Sequence, residues 1–209
     1  MTEDQVLEVL QKVGAFRAGH FVFTSGRHSD TYVNKDALYP YTQDTSILCK
    51  EMADLYKDSG VDAVLGPAVA AAILAQWTAH HLTDMMGHDV FAAYADKDGQ
   101  GGFVIRRGYD KLLAGKKVLI VEDLTTTGGS VKKVVDAARR IGAEIVGAAV
   151  LCNRGGVTAE MVDVPRFDSL VKVELDSWEA SECELCKREI PVNTDVGHGK
   201  QYLEKKKEN

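Results

Sequence analysis

Apolar residues recur at helical spacing in the first fourteen positions, at Val6, Leu7, Val9, Leu10 and Val13, and Gly14 closes the run. From Phe21 to Lys35 the pattern changes to aromatic, β-branched and turn residues. That predicts a strand, a turn at Ser25-Gly26 and a second strand over Thr31 to Asn34. Residues 43–58 predict a helix with Ile47, Leu48, Met52, Leu55 and Tyr56 inward, ended by Gly60. Beyond it strands and helices alternate. Val61 to Leu65 reads as a buried strand, Gly66-Pro67 as a turn and Ala70 to His81 as a helix, with Trp77 in a core position and His80 and His81 beside its C-terminal dipole. Val90 to Tyr94, Phe103 to Arg107 and Lys117 to Glu122 are predicted strands, Val131 to Ile141 a helix and Ile145 to Cys152 another strand. Leu170 to Leu175 adds one more strand, and the tail after Lys200 is expected to fray. Such alternation predicts an α/β fold: an open, mostly parallel twisted sheet with helices on both faces. The expected divisions are an N-terminal segment over 1–40, a core over 41–180 and a C-terminal segment over 181–209.

The chain has 209 residues, 45% hydrophobic and 27% charged, enough apolar material for a core that needs no disulfide or metal support. Its net charge of −6 speaks against sequence-independent binding of nucleic acid, which requires an excess of cations. A small anion needs only a local positive cluster. The longest apolar stretch, Ala68 to Trp77, is interrupted at Gln76 and too short to span a bilayer, and Met1 to Asp4 are polar and acidic, unlike a leader. Cys49 and Cys152 stand alone, as buried thiols of a reducing compartment do, so no membrane association and a cytoplasmic location are expected. Cys183-Glu-Leu-Cys186, with His198 downstream, supplies three of the four ligands a structural zinc requires. A pair of buried thiols is therefore the reading, and zinc would need a fourth group.

The segment richest in chemistry is Val118-Leu-Ile-Val-Glu-Asp-Leu-Thr-Thr-Thr-Gly-Gly-Ser130, followed by the helix from Val131. A buried strand ends in two carboxylates, then a loop of hydroxyls and glycines enters a helix. In an open parallel sheet, ligands bind beyond the carboxyl ends of the strands. Thr125, Thr126, Thr127, Gly128, Gly129 and Ser130 would offer a phosphate their hydroxyls, their amides and the positive helix end. Glu122 and Asp123 repel that phosphate but accept hydrogen bonds from vicinal sugar hydroxyls, directly or through a divalent cation. Phosphate beside a diol describes a ribose 5-phosphate.

This unit closely resembles the phosphoribosyl pyrophosphate (PRPP) signature of the type I phosphoribosyltransferases, and other segments resemble the orotate branch of that family. Phe21-Val-Phe-Thr-Ser-Gly-Arg-His-Ser29, running on to Tyr32-Val-Asn34, is similar to the N-terminal hood that closes over the base. Leu65-Gly-Pro-Ala-Val-Ala-Ala-Ala-Ile73 stands where the family carries its pyrophosphate loop, with Ala68 and Val69 at its centre. Cys152-Asn-Arg154-Gly matches the position of an arginine that grips the orotate carboxylate, a task suited to a planar guanidinium fork. The sequence departs from the family in three places. Thr24 replaces a lysine before Ser-Gly, the pyrophosphate loop lacks a basic residue, and the cationic loop is reduced to Tyr94–Phe103 with Lys97 as its one matching cation.

The resemblance implies a pentosyltransferase that moves the 5-phosphoribosyl group from PRPP to orotate, with Mg²⁺ as cofactor. Glu122, Asp123 and Lys97 would carry the catalysis, and PRPP would lie on Thr125 to Ser130, Ala68, Val69 and Lys97. Arg154, Phe23, Thr24 and Tyr32 would face orotate. No protein metal ligand is fixed by the resemblance, Mg²⁺ coming with PRPP and Asp123 being the one candidate. The implied partners are PRPP, orotate and a second copy of the chain. Residues 96–102, glycine-rich, are either a closing loop or a plain hairpin connection. Salvage of a purine or of uracil, and a PRPP-sensing regulator that has lost turnover, are the competing functions.

Overall fold

A computed structural model describes residues 1–208, and they fall into two compact units, one of residues 1–9 and 38–173 and a smaller one of residues 10–37 and 174–208. Helix α1 (Glu3–Lys12) starts in the first and ends in the second.

The larger unit holds α2 (Thr42–Tyr56), β3 (Ala63–Pro67), α3 (Ala70–Met86), β4 (Phe91–Lys97), β5 (Phe103–Val104), α4 (Tyr109–Leu113), β6 (Lys117–Thr125), α5 (Gly129–Arg140), β7 (Glu144–Asn153), α6 (Ala159–Val162) and β8 (Phe167–Lys172). The six strands form one sheet in the order β5-β4-β3-β6-β7-β8, parallel except for the antiparallel pair β4–β5. Every residue of β3 is buried, as expected of a strand covered on both faces. Ala63 and Leu65 of β3 and Val118 and Ile120 of β6 meet Val131, Val134, Val135 and Ala138 of α5 on one face. The latter four follow the i, i+3, i+4, i+7 stripe of a half-buried helix. On α3, Ala71, Leu74, Ala75, Thr78, Ala79 and Leu82 continue a stripe of the same period.

Chain direction across the sheet reverses between β3 and β6. After β3 the chain moves outward to β4 and β5, then returns to lay β6 on the other side of β3. That is the topological switch point at which open α/β sheets bind ligands. The β3–β6 pairing ends at Leu65 opposite Ile120, so β6 runs on alone along that edge.

In the smaller unit β1 (Phe16–Val22) and β2 (His28–Val33) form an antiparallel hairpin with a register shift between Ala18 and Phe21. The amide of Phe23 donates to the Arg27 carbonyl at 2.9 Å to close the turn. The C-terminal segment adds α7 (Glu184–Lys187) and α8 (Gly199–Glu208), and Trp178 exchanges backbone hydrogen bonds with His28 at 2.7 and 2.8 Å.

Five expectations change. Helix α3 continues to Met86 and stops at Gly87 (φ 72°), whose amide caps the Thr83 carbonyl, so the histidines are not at its end. Instead His80 faces Asp84 one turn on, and His81 Nε2 lies 2.9 Å from Ser46 Oγ. Trp77 is only half-buried. The strand expected over Phe103 to Arg107 is the two residues of β5, because Arg107 (φ 62°) and Gly108 (φ 84°) turn the backbone left-handed. The strand expected from Leu170 to Leu175 lies at Phe167–Lys172. The tail after Lys200 is helical through Glu208, anchored where the Tyr202 ring meets His28 edge-on at 4.7 Å between centroids; Asn209 lies outside the described residues. Among the described residues no helix is long and apolar enough to cross a membrane.

Candidate active site

Strand β6 carries Glu122 and Asp123 beyond the end of its pairing with β3, beside the switch point. They are not its last residues, since Leu124 and Thr125 still pair with Cys152 and Asn153 of β7. Both carboxylates are buried, 7% and 4% exposed, and both are held by hydrogen bonds. The Tyr39 hydroxyl donates to Asp123 Oδ2 at 2.7 Å, the Leu124 amide donates to Asp123 Oδ1 at 2.6 Å, and the Asp123 amide donates to Glu122 Oε1 at 3.2 Å. Such bonds fix the direction in which the remaining acceptor capacity points. Tyr39 gives no signal in the sequence, because 84 residues separate it from Asp123.

The loop from Thr125 to α5 is ordered by its own hydroxyls. The Gly128 amide donates to Thr125 Oγ1 at 3.1 Å and the Gly129 amide to Thr127 Oγ1 at 3.4 Å, so threonine oxygens meet the donors that an anion would use. Gly128 caps α5 with φ 76°, and a Cβ there would stand 2.6 Å from Val162 Cγ1, so the turn requires glycine. Thr126, Thr127, Gly129 and Ser130 are exposed at the helix entrance.

Strand β7 delivers Arg154 beside this loop: its amide donates to the Thr125 carbonyl at 2.8 Å. Asn153 bonds Val157 through both ends of its amide, at 2.9 and 3.0 Å, and pins the turn that follows. Burial pushes the Cys152 thiol up to about 12, while the Arg154 charge works to lower it and the Asp123 charge to raise it. The register of β6 on β7, with Leu124 opposite Cys152 and Thr125 opposite Asn153, sets the backbone of Arg154 and that of Asp123 at the same end of the sheet.

At the end of β3, Val69 is 83% exposed and precedes α3, whose first turn has no side-chain cap. The Ala68 amide donates to the Ala95 carbonyl at 2.8 Å and so faces the sheet. The segment around Lys97 is a tight hairpin: Asp96 and Lys97 pair with Val104 and Phe103, and Asp98 Oδ1 accepts the amides of Gln100 and Gly102 at 2.7 and 2.8 Å. Those amides hold the Asp98 carboxyl below the usual carboxylate range. Lys97, Ser130 and Lys133 line one cleft of about 380 Å³, which brings a second lysine, absent from the sequence expectation, to the start of α5. Arg107 pairs with Asp96 at 3.4 Å.

The remaining expected residues lie in the smaller unit. Phe23 is half-buried and Thr24 exposed in the hairpin turn, the latter 2.9 Å from His198 Nε2 through its hydroxyl, and Tyr32 packs on Phe21 with centroids 5.4 Å apart.

A parallel sheet with buried acids at its switch point, followed by a hydroxyl-rich helix entrance, is the arrangement of an α/β protein with a ligand site beyond the carboxyl ends of its strands. Residues 43–180 match the phosphoribosyl transferase domain family. Orotate phosphoribosyltransferase of Caldanaerobacter subterraneus subsp. tengcongensis is 35% identical over 192 residues, 92% of this chain and 96% of that protein. The Thermotoga maritima protein of the same name is 34% identical over 194 residues, 93% of this chain and 98% of its own length. The fold is shared with the crystal structure of Mycobacterium tuberculosis orotate phosphoribosyltransferase in complex with Fe(III) dicitrate (TM-score 0.67, 24% identity, 81% of this chain and 95% of that one). The chain belongs to the phosphoribosyltransferases and, within them, to the orotate phosphoribosyltransferase family.

Proposed function

We propose that this chain transfers the 5-phosphoribosyl group of PRPP to orotate, giving orotidine 5′-monophosphate and pyrophosphate. The observation that carries the reading is β6 itself, with two buried acids at the switch point running into a helix entrance built of Thr125 to Ser130. In this reading the 5-phosphate displaces the threonine hydroxyls from the Gly128 and Gly129 amides and takes the positive end of α5. Asp123 and Glu122 accept hydrogen bonds from the ribose hydroxyls, with Asp123 oriented by Tyr39. Arg154 offers its fork to the orotate carboxylate.

A ring nitrogen of orotate gives up its proton to solvent and forms the new bond to the anomeric carbon as the bond to the pyrophosphate oxygen breaks, the electron pair of that bond leaving with pyrophosphate. The protein's share is positioning and electrostatics. The exposed Val69 segment and the uncapped start of α3 lie where the pyrophosphate departs, while Lys97 and Lys133 supply positive charge beside Ser130. The all-oxygen donor set of Glu122 and Asp123 would suit Mg²⁺, a hard cation, with Asp123 as the candidate protein ligand, and such a cation would supply neutralising charge for the leaving group. A cytoplasmic location and a homodimer are part of this reading, supported by the resemblance to the family.

The test is pyrophosphate release with PRPP and Mg²⁺ across a panel of bases. Release is expected with orotate and not with adenine, hypoxanthine, guanine or uracil. Release with a purine or uracil in preference to orotate would overturn the choice of base, and tight PRPP binding without turnover of any base would make the chain a sensor.

A further inference from the structure

The hairpin of the smaller unit and the Cys183–Cys186 pair meet in a way the transferase reaction does not use. His20 on β1, His28 on β2, Cys183 before α7 and Cys186 within it bring one ligand atom each to a common point, all four within 4.8 Å of one another. Three of the four residues are buried and Cys186 is half-buried.

The separations fit a tetrahedral site. Bonds of about 2.3 Å to sulfur and 2.0–2.1 Å to nitrogen put neighbouring sulfur and nitrogen ligands about 3.6 Å apart. Cys183 Sγ lies 3.6 Å from His20 Nε2, and Cys186 Sγ lies 3.7 Å from His20 Nε2 and 3.4 Å from His28 Nδ1. The two ring nitrogens are 2.8 Å apart, about half an ångström closer than a shared tetrahedral metal would hold them, and so within reach of it by a small movement.

The surroundings orient the ligands. His20 Nδ1 lies 2.7 Å from the Ile190 carbonyl, which can only accept, so that nitrogen carries the proton and Nε2 presents its lone pair to the cluster. Without a metal, His28 Nδ1 must then donate to His20 Nε2. A cation between the two nitrogens lets both rings point lone pairs at it. Two sulfurs and two imidazoles in a tetrahedral arrangement select zinc among common metals.

We propose that His20, His28, Cys183 and Cys186 hold a structural zinc ion that staples the N-terminal hairpin to the C-terminal segment. His198 is not a ligand, since its Nε2 faces the Thr24 hydroxyl. The staple suits its unit, which has a single two-stranded sheet and segments drawn from both ends of the chain. A unit of that size seldom holds itself by core burial alone. The two thiols lose their protons on binding, so zinc affinity weakens as the pH is lowered.

The experiment is zinc analysis of the full chain purified without chelators. The expected result is about one zinc per chain, retained in His198→Asn and lost in Cys183→Ser, Cys186→Ser and His28→Asn. Because those variants could fail to fold, the wild-type chain is also reconstituted with Co²⁺. The strong visible bands of tetrahedral cobalt and a thiolate-to-cobalt charge-transfer band are expected, abolished by added Zn²⁺. Zinc-free protein after refolding with zinc, an octahedral cobalt spectrum, stoichiometric iron in place of zinc, or a Cys183–Cys186 disulfide in the native protein would each overturn the proposal.

Discussion

Gly155 follows Arg154 at the end of β7, and a Cβ added there would stand 1.6 Å from the Thr126 carbonyl oxygen and 2.5 Å from its carbon. Ordinary carbon–oxygen contact is roughly 3.2 Å or more, so Gly155→Ala forces the Thr126 backbone to move by more than about 1 Å. The loop has little room to yield. Thr125 is tied to the Arg154 amide at 2.8 Å, and Gly128 is wedged against Val157 and Val162. If Thr126 is part of the phosphate seat, a displacement of that size costs on the order of 100-fold in kcat/KM for PRPP, or about 2.7 kcal/mol of transition-state stabilisation. The neighbouring Gly156 supplies the comparison. It has φ 64° and open space around its Cβ position, so Gly156→Ala adds left-handed backbone strain of about 1–2 kcal/mol without pressing on the loop. Initial rates of orotate consumption at varied PRPP, beside thermal unfolding of both variants, separate the two effects. Gly155→Ala is expected to keep its fold and lose PRPP use; Gly156→Ala is expected to lower Tm and keep the PRPP KM. Wild-type PRPP kinetics in a folded Gly155→Ala protein would refute the phosphate seat at Thr126.

Removing the Tyr39 hydroxyl, which donates to a buried carboxylate, should cost roughly 1.5–3 kcal/mol in transition-state stabilisation, so steady-state kinetics of Tyr39→Phe should show kcat/KM reduced by tenfold or more. Asp123→Asn should be more severe with circular dichroism unchanged, and near-normal turnover would contradict the role given to the acid. Arg154→Ala should raise the orotate KM by about 30-fold, the loss of about 2 kcal/mol in charge-assisted bonding, and raise the PRPP KM less; an unchanged orotate KM would remove the arginine from the base site. Burial pushes the thiols of Cys49 and Cys152 up to about 12, well above the ordinary thiol range, which has two consequences. At pH 8 both should resist alkylation in the native chain, as peptide mass spectrometry after iodoacetamide would show. Because their folded pKa lies above the unfolded one, the stability they contribute is complete below pH 9 and declines between 9 and 12, read as a falling Tm.

The amino-acid sequence by itself determined the alternation of strands and helices, the apolar run of β6, its paired acids and the threonine–glycine entrance to α5. Each is a contiguous pattern whose meaning depends on neighbours within a dozen residues, and periodicity and turn chemistry act over that range. Only the tertiary structure decided what the separate segments do to one another. It set Tyr39 against Asp123 across 84 positions, turned the Ala68 amide into the sheet, made the Lys97 segment a hairpin and brought Lys133 beside it. The Cys-x-x-Cys pair showed two ligands in the sequence and suggested His198 as a third, yet the imidazoles that complete the set lie 155 or more residues upstream on a hairpin. Long-range partners of this kind are chosen by packing and strand register, which a linear reading does not contain.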